Sequence, residues 1–133
     1  MYIVERKDYG VKITFAGFIR EKEMKAWQLE MVKLLKTLPD KFGMLIDMRE
    51  MKAIPAESQQ ILMATQKIFK PHVLRSASIT AAAITNMQFK RMGDKTKVNE
   101  TKIFINALEV PNWEEVGETW IVKGTAPEEE GDA

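Results

Sequence analysis

No cysteine occurs in the chain, which removes disulfide stapling, thiolate catalysis and thiolate-bound zinc or iron–sulfur centres from consideration. Histidine occurs once, as His72 directly after Pro71. A serine triad through it would need a nucleophile-elbow sequence, and a metal site would need companion ligands at suitable spacing; the sequence offers neither. His72 therefore reads as a surface or helix-end residue whose charged form suits a carboxyl-terminal dipole. The few glycines, among them Gly10, Gly17, Gly43 and Gly93, match neither dinucleotide nor phosphate-loop spacing, so no cofactor is expected. Long apolar runs are missing too: the low-charge stretch from Ser76 to Gln88 contains Ser, Thr and Asn and is too short to span a bilayer. The opening Met1-Tyr-Ile-Val-Glu-Arg-Lys-Asp8 lacks the basic, apolar and cleavage regions of a secretory signal, which makes the cytoplasm the expected address.

What is present describes an ordinary globular composition. With 133 residues, 45% of them hydrophobic and 29% charged, the chain suffices for one domain whose core needs no crosslinks. The last ten residues hold Glu128, Glu129, Glu130 and Asp132 and no base, so residues 1–123 carry 20 basic against 15 acidic side chains. We therefore expect a domain over 1–123 and a disordered acidic tail over 124–133. The basic excess is too small for a dedicated nucleic-acid binder. Lys90, Arg91, Lys95, Lys97 and Lys102 do cluster, but with only Phe89 and Phe104 as nearby aromatics they read as a solvated loop, and no nucleic-acid partner is expected.

Periodicity orders the rest. Tyr2 to Tyr9 and Val11 to Phe18 read as two strands joined at Asp8-Tyr9-Gly10, the second alternating Val11, Ile13 and Phe15 with Lys12, Thr14 and Ala16. Arg20 to Leu38 carries Met24, Trp27, Leu29, Met31, Leu34, Leu35 and Leu38 at helical spacing and stops at Pro39-Asp40. Phe42 to Met48 is a short apolar strand suited to the middle of a sheet, with Arg49 to Lys52 as its exit loop. A helix opens at Pro55 and runs to about Phe69. Val73 to Ile84 follows as a strand, Asn86 to Met92 as a short helix, Lys102 to Ile105 as a strand and Asn112 to Ile121 as a last helix. Asn112 and Glu115 have the spacing of a capping box, and Gly117 should weaken that helix by about 1 kcal/mol relative to Ala. The fold class is α/β.

Asp47, Arg49 and Glu50 stand at the carboxyl end of the central strand, where open α/β sheets place their ligand sites. Asp47 is expected to fix the Pro55 to Ser58 turn, and Arg49 to pair with Glu50 or with a partner. Asp47 and Glu50 also form a conceivable acid pair, although general acid–base chemistry requires a separation that sequence spacing does not establish. Nine methionines, including Met44, Met48, Met51, Met63, Met87 and Met92, lie in a sequence that also has Ala81, Ala82 and Ala83. They serve as core filling or as the lining of a pocket for a small apolar ligand.

The element order, together with Phe15-Ala-Gly-Phe-Ile19, Phe42-Gly-Met-Leu-Ile-Asp-Met-Arg49, Lys102-Ile-Phe-Ile105, Trp113 and Trp120, resembles the SpoIIAA-like proteins of the STAS superfamily, relatives of bacterial anti-sigma-factor antagonists. The resemblance covers roughly residues 2 to 121. It implies a mixed four- or five-stranded sheet with helices packed mainly on one face. In the antagonists a partner kinase phosphorylates the second Ser of an Asp-Ser-Ser-Gly box at a helix start. Here the matching positions are Pro55-Ala56-Glu57-Ser58 and no such box exists. The resemblance thus puts either Glu57, a permanently charged substitute, or Ser58 in the acceptor place. It points to a non-enzymatic regulatory or protein-binding module presenting residues 47–58, with Asp47, Arg49, Glu50, Glu57 and Ser58 as contact residues. The alternatives are a carrier or sensor of an apolar ligand in the Met/Ala-lined pocket, and a hydrolase-like enzyme using Asp47 and Glu50. A homodimer through the first hairpin or the Trp-rich last helix is also compatible with the sequence.

Overall fold

The alternation of Val11, Ile13 and Phe15 with polar neighbours gives the second strand one apolar face. In the computed structural model of the chain, which describes residues 1–52, 54–81 and 101–125, all three side chains are buried. Strands β1 (Tyr2–Lys7) and β2 (Gly10–Gly17) pair antiparallel from Tyr2↔Phe15 to Lys7↔Gly10, leaving Asp8-Tyr9 as the turn. Gly10 sits at φ 146°, and a Cβ there would stand 2.1 Å from the Gly43 carbonyl oxygen. Both the backbone angle and the close approach demand glycine.

Helix α1 (Glu21–Leu35) follows, then β3 (Phe42–Met51), α2 (Ala56–Phe69), a 3-10 turn at Lys70–His72, β4 (Val73–Thr80), β5 (Lys102–Asn106) and α3 (Trp113–Lys123). The sheet has the order β1-β2-β3-β4-β5, antiparallel at β1/β2 and parallel elsewhere. Met44, Leu45 and Ile46 therefore lie in the middle strand of five. Alternation along β3 divides the interior into two. Phe42 and Met44 join Val11, Ile13 and Phe15 beneath Met24, Trp27 and Met31 of α1 and Phe69 of α2. Leu45 joins Ala77, Ile79 and Ile105 beneath Trp120 and Ile121 of α3. Among the described residues, two helices thus cover one face and the last helix covers the other.

Several boundaries differ from the sequence expectation. The third strand continues through Arg49, Glu50 and Met51 rather than ending at Met48, because β2 goes on offering partners: Ala16 pairs with Glu50, Gly17 with Met51, and the Lys52 amide donates to the Gly17 carbonyl at 3.0 Å. An extra β3 residue between the Thr14↔Asp47 and Ala16↔Glu50 pairs makes a bulge. Helix α1 stops at Leu35, where the Thr37 hydroxyl and amide both bond the Leu34 carbonyl. Leu29 lies on its solvent side at 58% exposure, off the stripe of Met24, Trp27 and Met31. The capping box at α3 does not form. Asn112 has φ −92° and ψ 39°, away from the extended geometry an N-cap side chain needs, and makes no side-chain cap bond. The expected helix over 86–92, residues 82–84 of the fourth strand and the tail from 126 lie outside the described residues.

Candidate functional site

The parallel strands end together on one rim. Alternation places Asp47 on the α3 face of β3, the same face as Leu45, and burial leaves it only 4% exposed. A carboxylate so placed needs a partner. The partner is Arg49, two residues on: Nε donates to Oδ1 at 2.9 Å, Nη2 to Oδ2 at 2.9 Å, and the Arg49 amide to Oδ1 at 3.1 Å. Helix α3 runs back along the sheet, with Ile121 over Gly43 and Gly117 over Leu45, so its first residue, Trp113, reaches the rim. The Arg49 guanidinium carbon stands 4.2 Å from the centre of the Trp113 ring, a cation–π contact. Lys12 of β2 approaches the same ring at 5.6 Å and pairs with Glu114. The bond to Asp47 raises the Arg49 pKa, aided by the charges of Asp47, Glu50 and Glu114 and opposed by burial.

Asp47 thus holds Arg49 instead of the Pro55 to Ser58 turn, and Arg49 pairs with Asp47 instead of Glu50. Glu50 is exposed one residue further along β3. Both Asp47 oxygens accept from Arg49, so the buried carboxylate serves as its counter-ion. Glu57 and Ser58 belong to α2, on the opposite face of the sheet. Glu57 is exposed at the second helical position; Ser58 is fully buried, and its Oγ has no hydrogen-bond partner among the described residues. A kinase reaches that hydroxyl only if the first turn of α2 opens. The five predicted residues therefore divide into a bonded pair, Asp47 with Arg49, with Glu50 beside it, and a separate helix start carrying Glu57 and Ser58.

Sequence reasoning missed Trp113 and Lys12 as members of the rim. Trp113 packs against the Leu45 and Trp120 core as well as Arg49, and the signal for its second role was its place in the first turn of a helix following the last strand. Phe18, expected at the end of a strand, is 64% exposed in the β2–α1 connection with the Lys52 ammonium 5.7 Å from its ring centre. Met44 is buried in the core and Met63 is 55% exposed. Ala82, Ala83, Met87 and Met92 of the expected apolar pocket lie outside the described residues, as do Lys90, Arg91, Lys95 and Lys97. His72 ends the 3-10 turn with Nδ1 3.0 Å from the Asp40 carbonyl oxygen. Among the described residues no three carboxylate or imidazole groups gather as metal ligands, and no helix is long and apolar enough to cross a membrane.

The strand order and the helices on both faces belong to the SpoIIAA-like class of α/β fold. The particular likeness is to the crystal structure of an uncharacterized protein of the DUF3478 family with a SpoIIAA-like fold from Shewanella loihica PV-4, with a TM-score of 0.63 at 12% sequence identity over 85% of this chain and 91% of that one. No family model matches the chain, and no curated protein matches it. The fold is the one the sequence resemblance implied.

Proposed function

We propose that the chain is a non-enzymatic, STAS-type regulatory module that binds a protein partner through the carboxyl-end rim, with Arg49, Glu50 and Glu57 as its contacts. The observation carrying this reading is the fixed Arg49: a guanidinium bonded to a buried carboxylate and stacked on an indole, yet with its side chain 37% exposed. Arginines and aromatics held in one geometry are the residue types that dominate protein interfaces, since little side-chain entropy remains to be lost on binding. Glu57 supplies a standing negative charge at a helix start, at one of the two positions the resemblance offers for a switchable one.

The test is photo-crosslinking in the cells that make the protein, with the reactive side chain at position 50. A defined partner should be captured, and Glu57→Lys should abolish its capture. The same reactive group at position 33, on α1, should not capture it. Equal capture from positions 50 and 33, or capture indifferent to Glu57→Lys, would remove the reading.

A further inference from the structure

The Arg49 guanidinium is only half used. Its five N–H groups lie in one plane, and Asp47 takes two of them along the side edge, Nε–H and one Nη2–H. The end edge is left, with one Nη1–H and one Nη2–H pointing the same way, plus the second Nη1–H; none of these has an acceptor among the described residues. A pair of parallel N–H groups is the geometry that a carboxylate or phosphate accepts in a bidentate bond. The Trp113 ring lies against the guanidinium, its centre 4.2 Å from the guanidinium carbon, and the two Asp47 bonds fix its rotation, so the edge is presented in one orientation.

Resting on the proposed rim function, we propose that the end edge of Arg49 is a receptor for one carboxylate, supplied by an Asp or Glu side chain of the protein partner. The surroundings decide between a carboxylate and a phosphate group. Asp47 already neutralises Arg49, and the Glu50 and Glu114 charges also act on it. Like charges raise the energy of an arriving anion in proportion to its charge, so a monoanion meets about half the repulsion that a dianion does. Lys12, paired with Glu114, offsets that charge and leaves the Glu50 carboxylate as the repelling one. A planar monoanion with two oxygens fits the edge and the field together. The same arrangement predicts that lysine cannot replace Arg49: an ammonium can neutralise Asp47, but it cannot offer a second coplanar pair of donors.

Acetate and inorganic phosphate are the probes, because they test the edge without the partner. With 15N-labelled protein, the Arg49 Nε–H and Trp113 indole N–H signals are followed during titration at constant ionic strength, with chloride as the reference anion. Acetate should move the Arg49 signal saturably, phosphate above its second pKa should bind no more tightly, and Arg49→Lys should weaken acetate binding about tenfold, the loss expected for one charge-assisted bond. The Trp113 indole signal, present in both proteins, reports acetate in the variant and whether its fold is retained. If acetate moves neither signal beyond the chloride reference, or if phosphate binds more tightly, the carboxylate receptor is overturned. Crosslinked capture from position 50 would then still stand, which separates failure of the edge from failure of the rim function. An acetate affinity that is unchanged in Arg49→Lys would equally overturn it.

Discussion

The asymmetry of the Asp47–Arg49 pair sets what each partner's loss should do. Arg49→Ala strands a carboxylate that is 6% exposed, whereas Asp47→Asn frees a guanidinium that is 37% exposed. Leaving a fully buried charge unpaired costs roughly 3–5 kcal/mol. The exposure of Arg49 scales that down to about 2 kcal/mol for Arg49→Ala, and Asp47→Asn should cost about 1 kcal/mol. Urea denaturation of the two variants should show this order. Tyr9 offers a contrasting case: its hydroxyl is buried without a partner among the described residues, and burial together with Glu118, Glu114 and Glu5 pushes its pKa well above the ordinary 10.0. Tyr9→Phe should be neutral or stabilising by up to about 1 kcal/mol in thermal melts. Spectrophotometric titration should find no Tyr9 phenolate at pH 10 while the fold persists. Lys102 has the opposite sign. Burial, then Lys70, lowers its pKa, so the folded state holds that proton less tightly than the unfolded chain. The penalty is full below the folded value and fades as pH rises toward the ordinary 10.5. Lys102→Met should therefore melt higher than the parent at pH 7, with the gap narrowing as the pH is raised.

At the scale of elements, Gly117 separates local propensity from packing. A glycine within a helix costs about 1 kcal/mol relative to alanine, and sequence reasoning stops there. A Cβ at position 117, however, would stand 2.8 Å from Leu45 Cδ1 and 3.4 Å from Ala77 Cβ, both in the core. Overpacking costs roughly 1–3 kcal/mol, which cancels or exceeds the helical gain. Gly117→Ala should leave the melting temperature unchanged or lower it, and a clear rise would show that α3 can lift from the sheet. The hairpin, α1, α2 and the order of elements were legible because each is written in a local period or turn. The end of β3 was not, because the bonds that extend it come from β2, more than thirty residues earlier in the chain. The failed cap at Asn112 is the same lesson in reverse: the motif was present, but the turn after β5 imposed another backbone angle. That turn uses Asn106 instead, whose Oδ1 accepts the Leu108 amide at 3.0 Å.

Across the whole molecule, β3 is the strand on which both interiors meet, with Met44 facing α1 and α2 and Leu45 facing α3. Its amides should be the last to exchange with solvent, because releasing them requires parting β2 or β4 and opening both cores. Hydrogen exchange should rank Leu45 and Ile46 slowest and the edge strand β1 faster. Slow exchange confined to the helices would contradict this layering. The sequence by itself determined the class of fold, the central place of Met44-Leu45-Ile46 and the arrival of Asp47 at the rim, because alternation and helical spacing are properties of neighbours along the chain. Only the tertiary structure decided that Asp47 holds Arg49, that Trp113 covers it and that Ser58 faces inward. Those outcomes depend on which face of the sheet each helix occupies and on residues brought together from distant positions, and no local period encodes them.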